Sequence, residues 1–332
     1  MTESSHISVR NLSVHFVLGR QLFGKPPVVR AVDEVSLEIP KGSFFGLVGE
    51  SGSGKTTLGR AILRAAPITS GQILYCDDEV EYDLGNIAKE QLKDYRRRAQ
   101  LIFQDPYAAL SPRMTVRDII AEPLEVMGIT STRAETDDRV REIASKCRLN
   151  LEHLRRFPHA FSGGQRQRIS IARALVCNPR FVVADESVAA LDVSIQADIL
   201  NLLESLRGEL MNTFFFISHD LSVVAHICDT VAVMYLGALV ESAPTRSLFS
   251  NPSHPYTKAL LSAIPSLDPD VRGKAQKLAG EIPSPVSPPS GCKFHTRCSL
   301  AEERCRSEVP LWRELSEGHS VACHFAKPKT LS

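Results

Sequence analysis

Gly49-Glu50-Ser51-Gly52-Ser53-Gly54-Lys55-Thr56-Thr57 satisfies the pattern G-x-x-x-x-G-K-[ST] without a gap. The apolar run Phe44-Phe45-Gly46-Leu47-Val48 leads into it. Behind it, Leu58, Ala61, Ile62 and Ala65 fall on one face of a helix. Strand, glycine loop and helix are the context in which this motif cradles phosphate. Gly49, Gly52 and Gly54 let backbone N–H groups turn inward around an anion, with Ser51, Ser53 and Thr57 completing the cradle. The helix that follows aims the positive end of its dipole at the same charge. Lys55 is placed to reach the β- and γ-phosphates and Thr56 to offer its hydroxyl to Mg²⁺. The stretch therefore predicts an α/β fold that binds the phosphates of a nucleotide with Mg²⁺.

Four more residues stand at the ends of apolar strands. Asp185 closes Phe181-Val182-Val183-Ala184 and is the acid expected to organise Mg²⁺. Glu186 follows it and could polarise the water that attacks the γ-phosphate. His219 comes just after Thr213-Phe214-Phe215-Phe216-Ile217, where it could bond a γ-phosphate oxygen. Gln104 ends Ala99-Gln100-Leu101-Ile102-Phe103 and could touch Mg²⁺ or the water. Ligands of open α/β sheets gather at the carboxyl ends of strands. A lone histidine is commonly structural, but four such residues at strand ends point to a catalytic site.

The rest of the chain arranges itself around this core. Residues 7–16 alternate and predict an edge strand, and residues 28–39 predict a second strand, the two lying antiparallel beside the base. Phe16 is a candidate to stack on adenine, or else an ordinary core aromatic. Residues 115–154 read as helical throughout, an insertion in the α/β core. Arg96-Arg97-Arg98 reads as a solvated helix end. Residues 164–176 and 193–210 predict helices, and residues 230–242 a hairpin around Leu236-Gly237. Pro283, Pro285, Pro288 and Pro289 mark a loop before a cysteine-rich tail.

The chain has 332 residues, about two domains, with 43% hydrophobic content and a formal net charge of +1. That balance gives no pull toward nucleic acid or an anionic membrane. No apolar run approaches the ~20 residues that span a bilayer. Met1 to Arg10 is polar and lacks a signal-peptide pattern, so a cytoplasmic protein is expected. Cys76, Cys147, Cys177 and Cys228 are scattered and read as small core residues or inert thiols.

Phe161-Ser162-Gly163-Gly164-Gln165-Arg166-Gln167-Arg168 resembles the signature of ATP-binding cassette (ABC) ATPases, with Phe161 where Leu is commoner. The resemblance covers residues from about 7 to 265. It implies that Ser162, Gly163, Gly164 and Gln165 close on the ATP held by a partner's phosphate loop. It also implies the roles given above to Gln104, Asp185, Glu186 and His219. Ala189-Ala190-Leu191-Asp192 is similar to the family's D-loop, with Ala189 where Ser is common, and Ser187 stands where Pro is common. The segments Asp105 to Val116 and His254-Pro255-Tyr256-Thr257-Lys258-Ala259-Leu260-Leu261 resemble the oligopeptide/dipeptide importer subfamily, in its second, F-type ATPase. This implies a heterodimer with a sister ATPase at the cytoplasmic face of the inner membrane, two permeases and an extracytoplasmic solute-binding protein. A non-transport cassette ATPase of DNA repair or translation is disfavoured by the single phosphate loop, absent heptads and balanced charge. So is a non-catalytic regulatory subunit, because every catalytic residue type is present.

The expected architecture is thus a phosphate-loop NTPase core, a mixed sheet with flanking helices. To it are added an antiparallel β subdomain, a helical subdomain at about 105–162 and a small cysteine-rich tail domain. Residues 1–250 form the nucleotide-binding domain and residues 251–332 the importer-type C-terminal region. The helical part should hold a groove for a permease helix, with Tyr107, Leu110 and Met114 either lining it or forming its core. In the tail, Cys292, Cys298, Cys305 and Cys323 are spaced C-x₅-C-x₆-C-x₁₇-C. Zinc sites usually contain a tight C-x₂₋₄-C knuckle. The wider loops suit a larger object such as a [4Fe–4S] cluster, which the subfamily resemblance also implies, with Zn²⁺, or unligated thiols or disulfides, as alternatives. His324 is a possible substitute ligand or a bystander. The cysteine site, far in sequence from every phosphate-contacting residue, is expected to have a structural role, tying a Pro-rich tail that lacks its own core.

Overall fold

The computed structural model describes residues 5–19, 26–264 and 280–327. In chain order, β1 (Ser5–Val17) and β2 (Val28–Pro40) precede β3 (Phe44–Val48), α1 (Lys55–Ile62), β4 (Ser70–Cys76) and β5 (Glu81–Asp83). Next come α2 (Lys89–Arg98), β6 (Ala99–Ile102), α3 (Pro106–Ala109), α4 (Val116–Met127) and α5 (Arg133–Lys146). They are followed by α6 (Gly163–Leu175), β7 (Phe181–Asp185), α7 (Val193–Leu210), β8 (Thr213–Ser218) and α8 (Leu221–Ile227). β9 (Thr230–Tyr235), β10 (Ala238–Pro244), α9 (Thr245–Ser250) and α10 (Pro255–Ser262) come before the tail, which holds α11 (Glu303–Ser307), β11 (Arg313–Ser316) and β12 (His319–Val321). These elements divide into two compact units.

One unit contains residues 39–43 and 75–217 with the start of β1. Its strands β6, β7 and β8 run parallel, Ala99 opposite Phe181 and Phe181 opposite Thr213. Every residue of β7 and β8 is buried, which is why both read as unbroken apolar runs rather than alternating ones. The long helical pattern of residues 115–154 is cut by its own capping residues. Thr115 caps α4 by accepting from the Asp118 N–H, Gly128 ends it at φ 66°, and Thr132 caps α5. Val116, Ile119, Ile120 and Leu124 of α4 and Val140, Ile143 and Ala144 of α5 are the buried faces. Leu110 is buried and belongs to this packing, whereas Tyr107 is exposed with the Arg166 guanidinium 4.1 Å from its ring centre. Arg98 corrects the expectation of a solvated arginine triplet. Its guanidinium bonds Asp77 (2.7 Å), Glu79 (2.8 Å) and Asp94 (2.8 Å), because three carboxylates converge on the end of α2. Burial pushes the Cys147 thiol up to about 12 and the Cys177 thiol to about 11, so both are inert.

The other unit contains residues 7–38 and 44–74 and the described residues from 218 onward. β3 pairs parallel with β9, Leu47 opposite Ala232. β9 and β10 form the expected hairpin, and Leu236 (φ 44°) and Gly237 (φ 81°) both take the left-handed backbone that tight hairpin turns require. β10 goes on to pair with β12, Glu241 opposite Val321, and β12 with β11. The tail therefore continues the sheet beyond the hairpin. Leu315, Val321, Cys323 and Ala326 give it a small core, with Phe325 against it. β1 lies between β2 and β4, not at an edge as its alternation suggested. Ile7, Val9, Leu12 and Val14 are all buried there.

A buried carboxylate joins the tail to this sheet. Glu241 of β10 is fully buried and accepts from the Ser253 N–H (2.6 Å), the His254 N–H (3.0 Å) and His319 Nε2 of β12 (2.7 Å). Burial alone would raise its pKa, but these donors outweigh that and hold it below the ordinary 4.5. A depressed carboxyl stabilises the fold above its unfolded value and loses that contribution as pH falls through the folded one. Glu241→Ala is expected to cost about 3–5 kcal/mol at pH 7 by leaving buried donors unpaired. In urea unfolding, the gap between wild type and variant should close as pH is lowered below 4.5.

Candidate active site

The phosphate loop is shaped by what presses on it. Gly49 (φ 155°) and Gly54 (φ 105°) lie so close to backbone that a Cβ on either would sit 2.2 Å from the Met234 carbonyl oxygen and 2.0 Å from that of Ala31. No side chain fits, so these glycines are fixed by packing as well as by conformation. Lys55 is buried at the start of α1, and its Nζ donates to the carbonyls of Gly49 (2.8 Å) and Glu50 (2.9 Å). Ser53 is buried, its carbonyl accepting from the Gly237 N–H at 2.9 Å, while Ser51 and Gly52 are exposed. Thr56 and Thr57 are half-buried in the first turn of α1. Phe16, near the end of β1, is 38% exposed, so it is not a core aromatic. His219 is exposed directly after β8, ahead of Asp220, whose side chain caps α8. All of these belong to one unit.

The other unit carries the acidic pair. Asp185 is the last residue of β7 and is 4% exposed. Glu186 leaves the strand at φ 46°, a left-handed conformation that costs a bulky residue about 1–3 kcal/mol and clusters at functional sites. Its N–H donates to the Ile217 carbonyl at 2.9 Å, so the turn is held by the end of β8. Gln104, in the bend after β6, donates from Nε2 to Glu186 Oε2 at 2.7 Å. Two strand-end residues predicted separately, Gln104 and Glu186, thus meet, and the left-handed turn carries Glu186 out of strand alternation.

In the same unit Ser162 caps α6, accepting from the Gln165 N–H at 3.4 Å while Gln165 Oε1 accepts from the Ser162 N–H at 3.1 Å. Ser162 and Gln165 are exposed. The two glycines between them differ. A Cβ on Gly163 would make ordinary contacts, the nearest at 3.7 Å. A Cβ on Gly164, which is buried, would stand 2.4 Å from Ile195 Cγ2 of α7. Gly164 is therefore required by packing within the chain, whatever its backbone N–H contacts.

In the tail, Cys292, Cys298, Cys305 and Cys323 line one small apolar cavity with Phe294 and Phe325. Burial pushes the Cys292 thiol up to about 11 and that of Cys298 in the same direction. Among the described residues no set of three or more His, Cys, Asp or Glu side chains is arranged to hold a single metal ion. Four thiols around one cavity are a thiolate donor set. His324 turns its Nε2 to the Glu308 carbonyl at 3.0 Å.

Far away in sequence, the tail nevertheless touches the phosphate loop. Arg297, beside Cys298, donates to both oxygens of Glu50 in the phosphate loop, at 2.6 and 3.1 Å. Glu50 occupies a variable position of the motif, and the two residues are 247 apart, so nothing local in the sequence announced the pair.

This loop and these strand ends define a phosphate-loop ATPase. Comparison with known proteins narrows the class. Residues 32–189 match the family model described as ABC transporter, and residues 240–305 the model described as oligopeptide/dipeptide transporter, C-terminal region. A putative peptide import ATP-binding protein of Brucella ovis is 50% identical over 97% of this chain and 98% of its own length. An oligopeptide transport ATP-binding protein of Bacillus subtilis is 46% identical over 96% of this chain and 97% of its own. A dimeric ABC transporter cassette solved in a post-hydrolysis state with ADP and phosphate matches with a TM-score of 0.63 and 26% identity, over 72% of this chain and 99% of that one. The chain belongs to the ABC transporter family, among its ATP-binding subunits.

Gly164→Ala should lower the unfolding midpoint by the equivalent of about 1–3 kcal/mol, the usual cost of overpacking. Gly163→Ala should leave the midpoint nearly unchanged. Thermal unfolding of the two variants side by side separates the glycine needed for packing from the one the chain itself leaves unconstrained.

Proposed function

We propose that this chain is the ATP-hydrolysing subunit of an importer for oligopeptides, dipeptides or related solutes. The observation that carries the catalytic assignment is the Gln104–Glu186 hydrogen bond of 2.7 Å on a left-handed turn directly after buried Asp185. Glu186 takes the proton of the attacking water, and Gln104 orients its carboxylate for that task. Lys55 and the loop N–H groups of residues 49–57 hold the β- and γ-phosphates, His219 bonds a γ-phosphate oxygen, and Phe16 stacks on adenine. Thr56, Asp185 and Gln104 are the oxygen donors that would hold Mg²⁺, which when bound neutralises charge on the phosphates. Peptide import is supported by the importer-type match of residues 240–305 and by relatives named for peptide transport.

Ser162, Gly163, Gly164 and Gln165 act on the ATP of a sister ATPase, so the working unit is a heterodimer bound to two permeases and supplied by an extracytoplasmic solute-binding protein. The exposed cap at Ser162 and the unhindered Gly163 support that reading, since both leave the start of α6 open to a partner. Among the described residues no helix is long and apolar enough to cross a membrane, in keeping with peripheral attachment at the cytoplasmic face through the permeases. Tyr107, exposed after the Gln104 bend, is the residue we assign to permease docking in the helical subdomain of residues 105–162. Residues 251–332 form the importer-type C-terminal region, whose four cysteines would hold a [4Fe–4S] cluster that ties their loops together.

Two experiments test this reading. In the assembled transporter, with the sister site disabled, Glu186→Gln should keep ATP binding and lower turnover by about 10²–10⁴-fold, the usual contribution of a positioned base. Turnover at the wild-type rate would remove Glu186 from its role. Protein purified without oxygen should be brown and contain about four irons per chain, as four-thiolate ligation of a four-iron cluster requires. Colourless protein with stoichiometric zinc would replace the cluster by a zinc site.

A further inference from the structure

The contact between Arg297 and Glu50 does more than fasten the tail. We infer that Arg297 is a positioning residue for the phosphate loop, so that nucleotide affinity depends on the folded cysteine-rich tail. The inference rests on the assignment of residues 49–57 to the phosphates.

Every polar group of Glu50 is engaged. Its two carboxylate oxygens accept from Arg297 Nη1 and Nη2. Its N–H donates to the Tyr256 hydroxyl at 2.9 Å. Its carbonyl accepts from Lys55 Nζ at 2.9 Å and from the Ser53 N–H at 3.2 Å. The first turn of the loop, and through it the Lys55 ammonium, is thus tied to the tail by a two-point grip. Such a fork fixes orientation as well as distance.

Arg297 is itself immobilised. It closes the 3₁₀ turn His295–Arg297 between Cys292 and Cys298, and its N–H donates to the Phe294 carbonyl at 3.0 Å. Phe294 is buried against Tyr235 and Tyr256, with ring centres 5.2 and 5.3 Å away. The Arg297 side chain is only 6% exposed, against 25% for Glu50. A guanidinium held this deeply is shielded from competing water.

Charge gives the pair a second consequence. A carboxylate inside a loop that must hold phosphates repels them unless a cation cancels it. Arg297 supplies that cation. Losing it should both loosen the loop and unmask the charge of Glu50, whereas losing both charges together should only loosen the loop.

The test is a fluorescence titration of the full chain, purified without oxygen, with N-methylanthraniloyl-ATP and Mg²⁺, alongside the unfolding midpoint of each variant. Arg297→Met should raise Kd by about tenfold or more, since small misplacements in a site can cost up to about 10²-fold. Adding Glu50→Gln to Arg297→Met should recover part of that loss. A Kd equal to wild type in Arg297→Met, or no recovery in the double variant, overturns the inference and leaves Arg297 as a tail anchor only. Should Arg297→Met not fold, Arg297→Lys keeps the charge and loses the fork. It should show an intermediate loss, and wild-type affinity there overturns the inference equally. Lys55→Ala separates the two levels: undiminished binding in that variant overturns the assignment of the loop itself.

Discussion

The approach of two backbone carbonyls, those of Met234 and Ala31, to Gly49 and Gly54 is the constraint on which the nucleotide loop depends. Hydrogen-bond donors can point inward around an anion only if the chain behind them is held outward. Here β9 and β2 supply that backing surface, and they come close because neither glycine has a side chain. The loop is thus cast by its neighbours before any ligand is considered. Lys55, folded onto the carbonyls of Gly49 and Glu50, adds an internal brace that also keeps its ammonium near the phosphate-binding N–H groups.

The acidic pair follows a different logic. Asp185 is immobilised by burial at the end of a strand, whereas Glu186 is immobilised by strain, its left-handed backbone pinned by the Ile217 carbonyl. Adjacent residues on a strand face opposite ways. One left-handed residue cancels that alternation directly after Asp185. Gln104 donates to the Glu186 carboxylate beside that turn.

Much of this was legible because it is local. β3, the glycine loop and α1 are adjacent in sequence, and β7 and β8 announce themselves as apolar runs that end in polar residues. The hairpin at Leu236-Gly237 and the cap at Ser162 were likewise readable from a few residues. Where the reading failed, the deciding contact lay elsewhere in the chain. β1 looked like an edge because its second neighbour, β4, is more than fifty residues away, and a strand's own pattern does not say which strand it pairs with. That Gly164 also has to make room for Ile195 was not readable, because a glycine needed for packing and one needed by a phosphate are identical letters. The Arg297–Glu50 pair spans 247 positions, and neither residue type is unusual in its place.

The strand pairing of β10 with β12 bears on how the chain is made. β10 is a largely buried strand, and its outer row of N–H and C=O groups is covered by a segment from near the far end of the sequence. Until residues 319–321 have been synthesised, that row is an open edge, a template on which another chain can pair. The nascent protein therefore carries its greatest aggregation hazard late, after the catalytic machinery has been completed. The strand that finally closes the sheet, β11, is short and mostly exposed, with Arg313 and Glu314 along it, features that discourage further pairing. A chain ended before β12 would keep all of the ATP-binding motifs and still present that sticky edge.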